Sequence, residues 1–279
     1  MTTHICHDLS DPEADAEAEA EAVSNGYHDR FPERPSPLGE RLAQAACEGK
    51  LTRAMCEDAK IVRGSGGLRN IDGSMDRYAA RDLFVSTASW ALITVEYADR
   101  LAEIMRGKRV LEVGAGRGVL AAMMQARGID WTATDAYPPK VKYPWQPPPP
   151  RKMDAMGAVL SIPFDVLVWS WWPYCDSTDY DMALLMNGRP IWIIGEGAHG
   201  CTGSGQFHGC STGWDTAAGR EPKSEWDDDY DPAVDKMLPR DWHTVCPRMG
   251  VDVPEWDGLH DHTYIALPEG RVLSDYFPL

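Results

Sequence analysis

The 279-residue chain lacks any apolar run of about 18 residues, so nothing in it predicts a membrane-spanning helix. The amino-terminal segment is acidic rather than basic and then apolar, so we expect no secretory signal peptide. Its seven cysteines are odd in number and scattered, which does not fit a disulfide framework. We therefore expect a protein of the reducing cytoplasm that makes no membrane contact.

Basic residues are in the minority, with 27 Lys and Arg against 43 Asp and Glu, for a net charge of −16. The excess is concentrated in residues 1–30, with a net charge of −7, and residues 215–235, with −6. The sequence thus shows no basic face of the kind that grips a nucleic-acid backbone. A small-molecule or protein substrate is favoured over nucleic acid, although a flipped or single-stranded base stays open.

The chain divides by composition into three parts. Residues 1–37 are an acidic Glu/Ala repeat followed by a proline-rich linker, which is typical of a disordered tail. Residues 38–106 predict a helical extension, with one helix over 38–62, a glycine-rich loop at 64–70 and a second helix over 88–106. Residues 107–279 predict a Rossmann-like domain with an acidic insertion near 215–235.

Strand and helix patterns alternate through this third part. Apolar runs predict strands at 109–113, 131–134, 164–169, 191–195, 242–246 and 263–267, with helices over 117–127, 152–160 and 178–187. The prolines between 138 and 150 predict a stiff surface loop in place of a third strand. The alternation predicts an α/β fold: a doubly wound, mostly parallel sheet with helices on both faces.

The first constellation is a strand, a glycine turn and a helix start, with an acid at the end of the next strand. Gly114, Gly116 and Gly118 allow a sharp turn and a close backbone approach to a ligand. The helix that follows presents its free N–H groups to that ligand. Asp135 lies about 20 residues after the first glycine, which suits the two hydroxyls of a ribose. The unit predicts a nucleoside-bearing cofactor, and the alternative is an ordinary tight turn.

The glycine spacing distinguishes between cofactors. A dinucleotide fingerprint needs Gly or Ala at its sixth position, where Val119 stands, and the third glycine comes one residue early. The spacing E-x-G-x-G-x-G resembles motif I of the class I S-adenosylmethionine-dependent methyltransferases instead. The resemblance implies that the turn cradles the methionine part of the cofactor, that Asp135 binds the ribose, and that Asp154 meets the adenine amino group. The implied cofactor-binding residues are Glu112, Gly114, Ala115, Gly116, Gly118, Asp135 and Asp154.

The second constellation is Ser170-Trp171-Trp172-Pro173-Tyr174, directly after a buried strand. Ligands of doubly wound sheets lie beyond such strand ends, so this segment is expected to face the glycine turn. A polar acceptor beside proline and an aromatic ring suits an amino substrate, because the π-face favours developing positive charge. The segment resembles the Asn/Asp/Ser-Pro-Pro-aromatic motif of amino-methyltransferases, but Trp172 replaces the first proline. The alternative is a tryptophan-rich packing corner.

The third constellation is the glycine-rich loop after the strand at 191–195. Glu196 is a candidate acid, base or substrate-binding carboxylate, or else a brace for the loop. Two His-Gly-Cys pairs could bind zinc, but their one-residue separations depart from the usual spacing, so we expect no metal site. These pairs are His199 with Cys201 and His208 with Cys210. His260 or Asp261 could reach the site from a late loop or brace the fold.

Blocks over roughly residues 78–268 resemble a group of methyltransferase-like proteins from bacteria, fungi and phages. They are ARGIDWTATD, the MDA at 153–155, the SWWPY corner, GEGAHGCTG and the PEWDGLHD near the end. The resemblance implies a class I fold and S-adenosylmethionine as cofactor, and no particular methyl acceptor. We expect a methyltransferase acting on a nitrogen of a small molecule, protein or nucleobase, with Ser170, Trp172, Pro173, Tyr174 and Glu196 shaping the acceptor site. The alternatives are a catalytically inactive scaffold of the same fold and a nicotinamide-dependent enzyme.

Overall fold

The computed structural model describes residues 36–62, 76–173, 176–196, 202–204, 207, 211–212, 242–245, 247, 250–251, 253–256 and 261–277. The predicted tail up to residue 35, the glycine-rich loop at 64–70 and the acidic insertion lie outside the described residues. So do the four residues of the two His-Gly-Cys pairs, together with Tyr174 and His260.

Eight short strands of the described chain form one sheet. They are β1 (Arg109–Glu112), β2 (Asp130–Asp135), β3 (Arg151–Lys152), β4 (Val166–Ser170), β5 (Ile191–Gly195), β6 (Ser211–Thr212), β7 (Trp242–Val245) and β8 (His262–Pro268). Their order across the sheet is β3-β2-β1-β4-β5-β8-β7-β6. The first five strands in this order are parallel, whereas β8 runs antiparallel to both β5 and β7. The predicted α/β class with a mostly parallel sheet is confirmed.

Helices cover both faces of the sheet. They are α1 (Pro37–Cys47), α2 (Arg53–Asp58), α3 (Asp76–Thr87), α4 (Val95–Met105), α5 (Val119–Ala126), α6 (Ala155–Ser161) and α7 (Thr178–Leu185), with a 3₁₀ turn at Leu273–Asp275. Alternate strand residues such as Val166 and Val168 pack in one core with α1, α2, α4 and α5. Leu167 and Trp169 point the other way and pack with α6 and α7. Burial on both faces explains the continuous apolar runs of the central strands.

The predicted helix over 38–62 is wrong, because the chain breaks between α1 and α2. Gly49 takes the left-handed conformation, with a φ of +66°, just after α1 ends. The Thr52 hydroxyl then caps α2 by accepting a hydrogen bond from the Met55 N–H. The predicted helix over 88–106 is also too long, because Thr94 caps α4 at the Tyr97 N–H and residues 88–94 are not helical. In both cases a threonine cap outweighed helix-compatible composition.

The proline-rich loop does not replace a third strand, which corrects that prediction. The loop ends in β3, whose two residues pair with Thr134 and Asp135 of β2. Prolines have no N–H to donate to a ladder, so the pairing begins only after Pro150. Helix α6 accordingly starts at Ala155, three residues later than predicted.

The remaining strands agree with the prediction to within two residues at either end, with β6 as an addition. Within the part of the chain that the structure describes, no helix is both long and apolar enough to cross a membrane.

Candidate functional site

The glycine turn joins β1 to α5 and takes a backbone path that favours glycine. Gly114, Gly116 and Gly118 have φ angles of +61°, +56° and +72°. A side chain in this left-handed region costs about 1–2 kcal/mol per residue. The Ala115 N–H donates to the Thr134 carbonyl across 3.0 Å, which ties the turn to the end of β2. The three glycines are therefore required by the backbone geometry itself.

Asp135 lies at the carboxyl end of β2 and contacts the glycine turn directly. Its Oδ2 accepts a hydrogen bond from the Gly116 N–H at 2.8 Å, and its Oδ1 accepts one from the Tyr137 N–H at 2.8 Å. Burial raises the pKa of this carboxyl, and the two backbone donors oppose the rise. Each carboxylate oxygen has a second lone pair, so both can still accept a hydrogen bond from a ligand hydroxyl.

Glu112, the last residue of β1, is buried in the core, and its carboxyl group is hydrogen-bonded there. Its Oε2 accepts a hydrogen bond from the Trp131 indole N–H at 2.7 Å, which joins β1 to β2. Burial raises the pKa of Glu112 to about 8, the Trp131 bond opposes the rise, and the Asp135 carboxyl adds to it. Glu112 therefore holds the base of the glycine turn in place.

Asp154 follows β3 at the same edge of the sheet and caps α6. Its Oδ1 accepts a hydrogen bond from the Gly157 N–H at 2.7 Å, and its side chain is exposed. Only one carboxylate oxygen is used by this cap, so the other can accept a hydrogen bond from a ligand amino group.

The segment after β4 meets the glycine turn, as expected from the sheet topology. A Cβ added at Gly114 would lie 3.3 Å from Cζ3 of Trp172, so this indole covers the first glycine. Trp172 is buried against Trp169, with ring centroids 5.8 Å apart. Ser170 is the half-buried last residue of β4, and Pro173 is exposed.

Trp171 connects three strand ends. Its backbone takes a φ of +56°, which is uncommon for a bulky residue, and its N–H donates to the Ile194 carbonyl of β5 across 2.8 Å. Its indole N–H donates to Asp261 Oδ1 at 2.6 Å. Its ring stacks on Trp90 at 5.3 Å with 22° between the planes. Nothing in the local sequence around Trp90 indicates this stacking.

Asp261 is 2% exposed and directly precedes β8. Its Oδ2 has no hydrogen-bond partner among the described residues. Burial raises the pKa of Asp261 to about 7; Trp171 and Arg81 oppose the rise, and Glu196 and Glu255 add to it. Of the two late-loop candidates, the structure thus describes Asp261 and brings it to the strand ends.

Glu196 is also buried, directly after β5. Gly195 pairs with His262 across β5 and β8, so Glu196 and Asp261 are the next two positions along that antiparallel pair. The Thr202 hydroxyl donates to the Glu196 carbonyl, so Thr202 lies beside the end of β5. Both carboxyl groups lie at the edge of the sheet where β1 and β4 also end.

Arg117 is a residue of the motif whose role the sequence did not indicate. Its Nε donates to the Ser86 carbonyl at 2.7 Å, and its Nη1 donates to the Lys140 carbonyl at 3.0 Å. These bonds connect the glycine turn with α3 and with the proline-rich loop. An arginine inside a glycine motif is a signal for such bracing, because its side chain can reach two carbonyls at once.

An open groove of about 280 Å³ runs between α5, β2 and prolines 147–150. It touches the glycine turn only at Gly118 and is separate from the carboxyl groups described above. Among the described residues, no cluster of His, Cys, Asp and Glu has the geometry to hold a metal ion.

No protein-family model matches the chain, and no curated protein is significantly similar to it.

Proposed function

We propose that this protein is an S-adenosylmethionine-dependent methyltransferase with a class I fold that transfers a methyl group to a nitrogen atom. The observation that carries the proposal is the contact between the Gly116 N–H and the Asp135 carboxylate at the ends of β1 and β2. It brings Asp135, the acid that we assign to the ribose, beside Gly116 and the N-terminus of α5, a combination that suits a nucleoside cofactor.

The strand order supports a ligand site at this position. In the order β3-β2-β1-β4-β5, the chain winds outward in opposite directions from the neighbouring strands β1 and β4. The crevice beyond the carboxyl ends of strands at such a switch point is where open α/β sheets bind ligands. The glycine turn follows β1 and the Trp171–Pro173 segment follows β4, so the two constellations border the same crevice.

Two features favour S-adenosylmethionine over a dinucleotide. Val119, at the position where a dinucleotide fingerprint has Gly or Ala, is buried in the first turn of α5. The classic dinucleotide order also continues from β5 to a sixth strand, whereas here the antiparallel β8 lies beside β5. A nicotinamide-dependent enzyme is therefore less well supported.

The residues present fit the cofactor. A Cβ added at Gly116 would meet no atom of the described neighbouring residues within 4 Å, so a ligand has room to approach the backbone there. Asp135 would hold the ribose hydroxyls, and Asp154 would hold the adenine amino group. When bound, S-adenosylmethionine supplies a methyl group on a positively charged sulfur. The protein's own part is to orient the acceptor and exclude water, which the buried Trp172 and half-buried Trp171 are placed to do.

A second candidate, a scaffold that binds the cofactor without catalysis, is favoured by Trp172. Its indole covers Gly114 at the point where the amino-methyltransferase motif has a compact proline. A bulky ring there narrows the crevice on the acceptor side. Cofactor binding without turnover on any nitrogen acceptor would support this alternative.

A transfer assay with labelled S-adenosylmethionine tests the proposal. The full-length protein is incubated with a panel of amines, peptides and nucleobases, and the Asp135→Ala variant serves as the matched negative. We expect label in a nitrogen acceptor with the wild type and at least a tenfold lower rate with the variant. Equal background incorporation by both proteins across the panel would contradict catalysis.

A further inference from the structure

We propose that Asp261 and Glu196 form an anionic recess that binds a protonated amino group, so that the methyl acceptor is a basic amine. Amine binding in this recess follows from the contacts of Asp261 and Glu196. Only the role of the recess as the acceptor site rests on the proposed methyltransferase function.

The recess lies near the glycine turn, where a methyl acceptor would have to bind. Asp261 precedes β8, and because β8 is antiparallel, its start lies at the edge where β1, β4 and β5 end. Trp171 links Asp261 to the end of β4, and the next residue, Trp172, covers Gly114 of the glycine turn. Two consecutive residues, Trp171 and Trp172, thus connect Asp261 with the glycine turn.

The unpartnered oxygen of Asp261 indicates that a suitable ligand carries an N–H donor. Oδ1 accepts the Trp171 indole N–H, but Oδ2 is buried and has no partner among the described residues. A buried carboxylate oxygen without a partner is unfavourable, and a hydrogen bond from a charged donor relieves that cost best. An ammonium group supplies both the N–H and the opposite charge.

The charged groups around Asp261 favour binding of a cationic ligand. The groups acting on the Asp261 carboxyl are Glu196 from the end of β5, Glu255 from the segment before β8, and Arg81 from α3. Among the described residues, three carboxyl groups therefore surround one guanidinium, and the His262 ring lies beside Glu255, with its Nδ1 3.9 Å from Glu255 Oε1. That guanidinium lies 5.7 Å from the centre of the Trp90 ring. An anionic ligand would be repelled by this set.

The Trp171 ring meets Asp261 with its edge. Its indole N–H donates to Oδ1, while one ring face is stacked on Trp90. Selection of an ammonium ion over a neutral hydroxyl therefore comes from the unpartnered oxygen of Asp261 and the surrounding carboxyl groups, which favour a charged donor.

The recess can also remove the proton that an amine must lose before it accepts a methyl group. The N–H bond of the ammonium breaks, its electron pair stays on nitrogen as the lone pair, and an O–H bond forms at Asp261 Oδ2. Burial raises the pKa of Asp261 to about 7, which suits a proton acceptor near neutral pH.

Fluorine NMR of the full-length protein tests the recess directly. The probes are fluorobenzylamine and, as a neutral isostere, fluorobenzyl alcohol. The variants are Asp261→Asn, whose amide oxygen can still accept from Trp171, and Glu196→Gln. Asp130→Asn and Glu103→Gln are the matched controls, because they neutralise exposed carboxyl groups on β2 and α4.

We expect the wild type and both controls to bind the amine at least tenfold more tightly than the alcohol. Asp261→Asn and Glu196→Gln should each weaken amine binding at least tenfold and leave alcohol binding unchanged. Equal binding of the two probes, unchanged amine binding in both variants, or no amine binding at millimolar concentration would overturn the recess. Binding of S-adenosylhomocysteine is measured on the same samples, so failure of the cofactor proposal is seen separately.

Discussion

The Gly116 N–H donates a hydrogen bond to the Asp135 carboxylate across 2.8 Å, which joins the turn after β1 to the end of β2. The same carboxylate also accepts from the Tyr137 N–H at the start of the proline-rich loop. One side chain therefore sets the positions of two backbone segments and still has lone pairs for a ligand. Changes at either residue are expected to alter the proposed cofactor site.

Replacing Asp135 with alanine should weaken S-adenosylhomocysteine binding at least tenfold, because both the ribose acceptor and the support of the turn are lost. The free energy of unfolding should fall by only about 1 kcal/mol, since water can reach the freed N–H groups. Titration calorimetry and urea unfolding measure the two effects. Asp130→Ala, at the exposed opposite end of β2, is the control, and unchanged binding in Asp135→Ala would refute the ribose assignment.

Gly116→Ala and Gly128→Ala form a matched pair. Their φ angles are +56° and +76°, and at either position an added Cβ meets no atom within 4 Å from neighbouring residues that the structure describes. Each variant should lose about 1–2 kcal/mol of stability from backbone strain. Only Gly116→Ala should lose S-adenosylhomocysteine binding, because its methyl group enters the space left for the ligand. Equal affinity of the two variants would show that no ligand approaches Gly116.

Glu112→Gln should change how stability depends on pH. Burial raises the pKa of Glu112 from 4.5 to about 8, so between these values the folded state holds a proton that the unfolded state has released. The free energy of unfolding of the wild type therefore falls as pH rises through this window, by about 1.4 kcal/mol per unit of pKa difference. In the variant, the amide oxygen would still accept from Trp131, but the side chain would not titrate.

The measurement is urea unfolding of the Glu112→Gln variant and wild type at several pH values. The variant should show a shallower decline with pH, whereas the exposed-site control Glu103→Gln should follow the wild type. Parallel curves for wild type and Glu112→Gln would mean that Glu112 is ionised in the folded protein.

Amine binding should rise with pH through the titration of Asp261. Burial raises its pKa to about 7, so the carboxylate that attracts the ammonium forms fully only above that value. Fluorobenzylamine affinity should increase from about pH 6 to pH 8, a change that Asp261→Asn should lack. The charged groups that the structure describes around Asp261, which are Glu196, Glu255 and Arg81, and His262 beside Glu255, are retained in this variant. A rise of the same size in Asp261→Asn would assign the titration to another group.

The glycine motif, its helix and Asp135 could be predicted because each is local in the chain. A strand, a turn and a cap depend on neighbouring residues, so the local pattern predicted β1, α5 and β2 to within two residues at either end. The helix ends near Thr52 and Thr94 were missed because a single capping hydroxyl outweighs composition over many residues. The two-residue β3 was missed because strands so short leave no periodic signal.

The contacts of Trp171 could not be predicted, because its partners are remote in sequence. Trp90 lies 81 positions before it and Asp261 lies 90 positions after it. No local pattern indicates that these three meet or that one oxygen of Asp261 stays unpartnered. Glu112 was likewise indicated as a cofactor residue from the motif, whereas its bond to Trp131 became visible only when β1 and β2 were paired.

Calorimetric titration of the full-length protein with S-adenosylhomocysteine, with NAD as the control ligand, tests the central proposal most directly. We predict binding of S-adenosylhomocysteine in the micromolar range, lost in Gly116→Ala and retained in Gly128→Ala, and no binding of NAD. Binding of NAD alone would assign the glycine turn to a dinucleotide. Binding of neither ligand would contradict a cofactor site at the ends of β1 and β2.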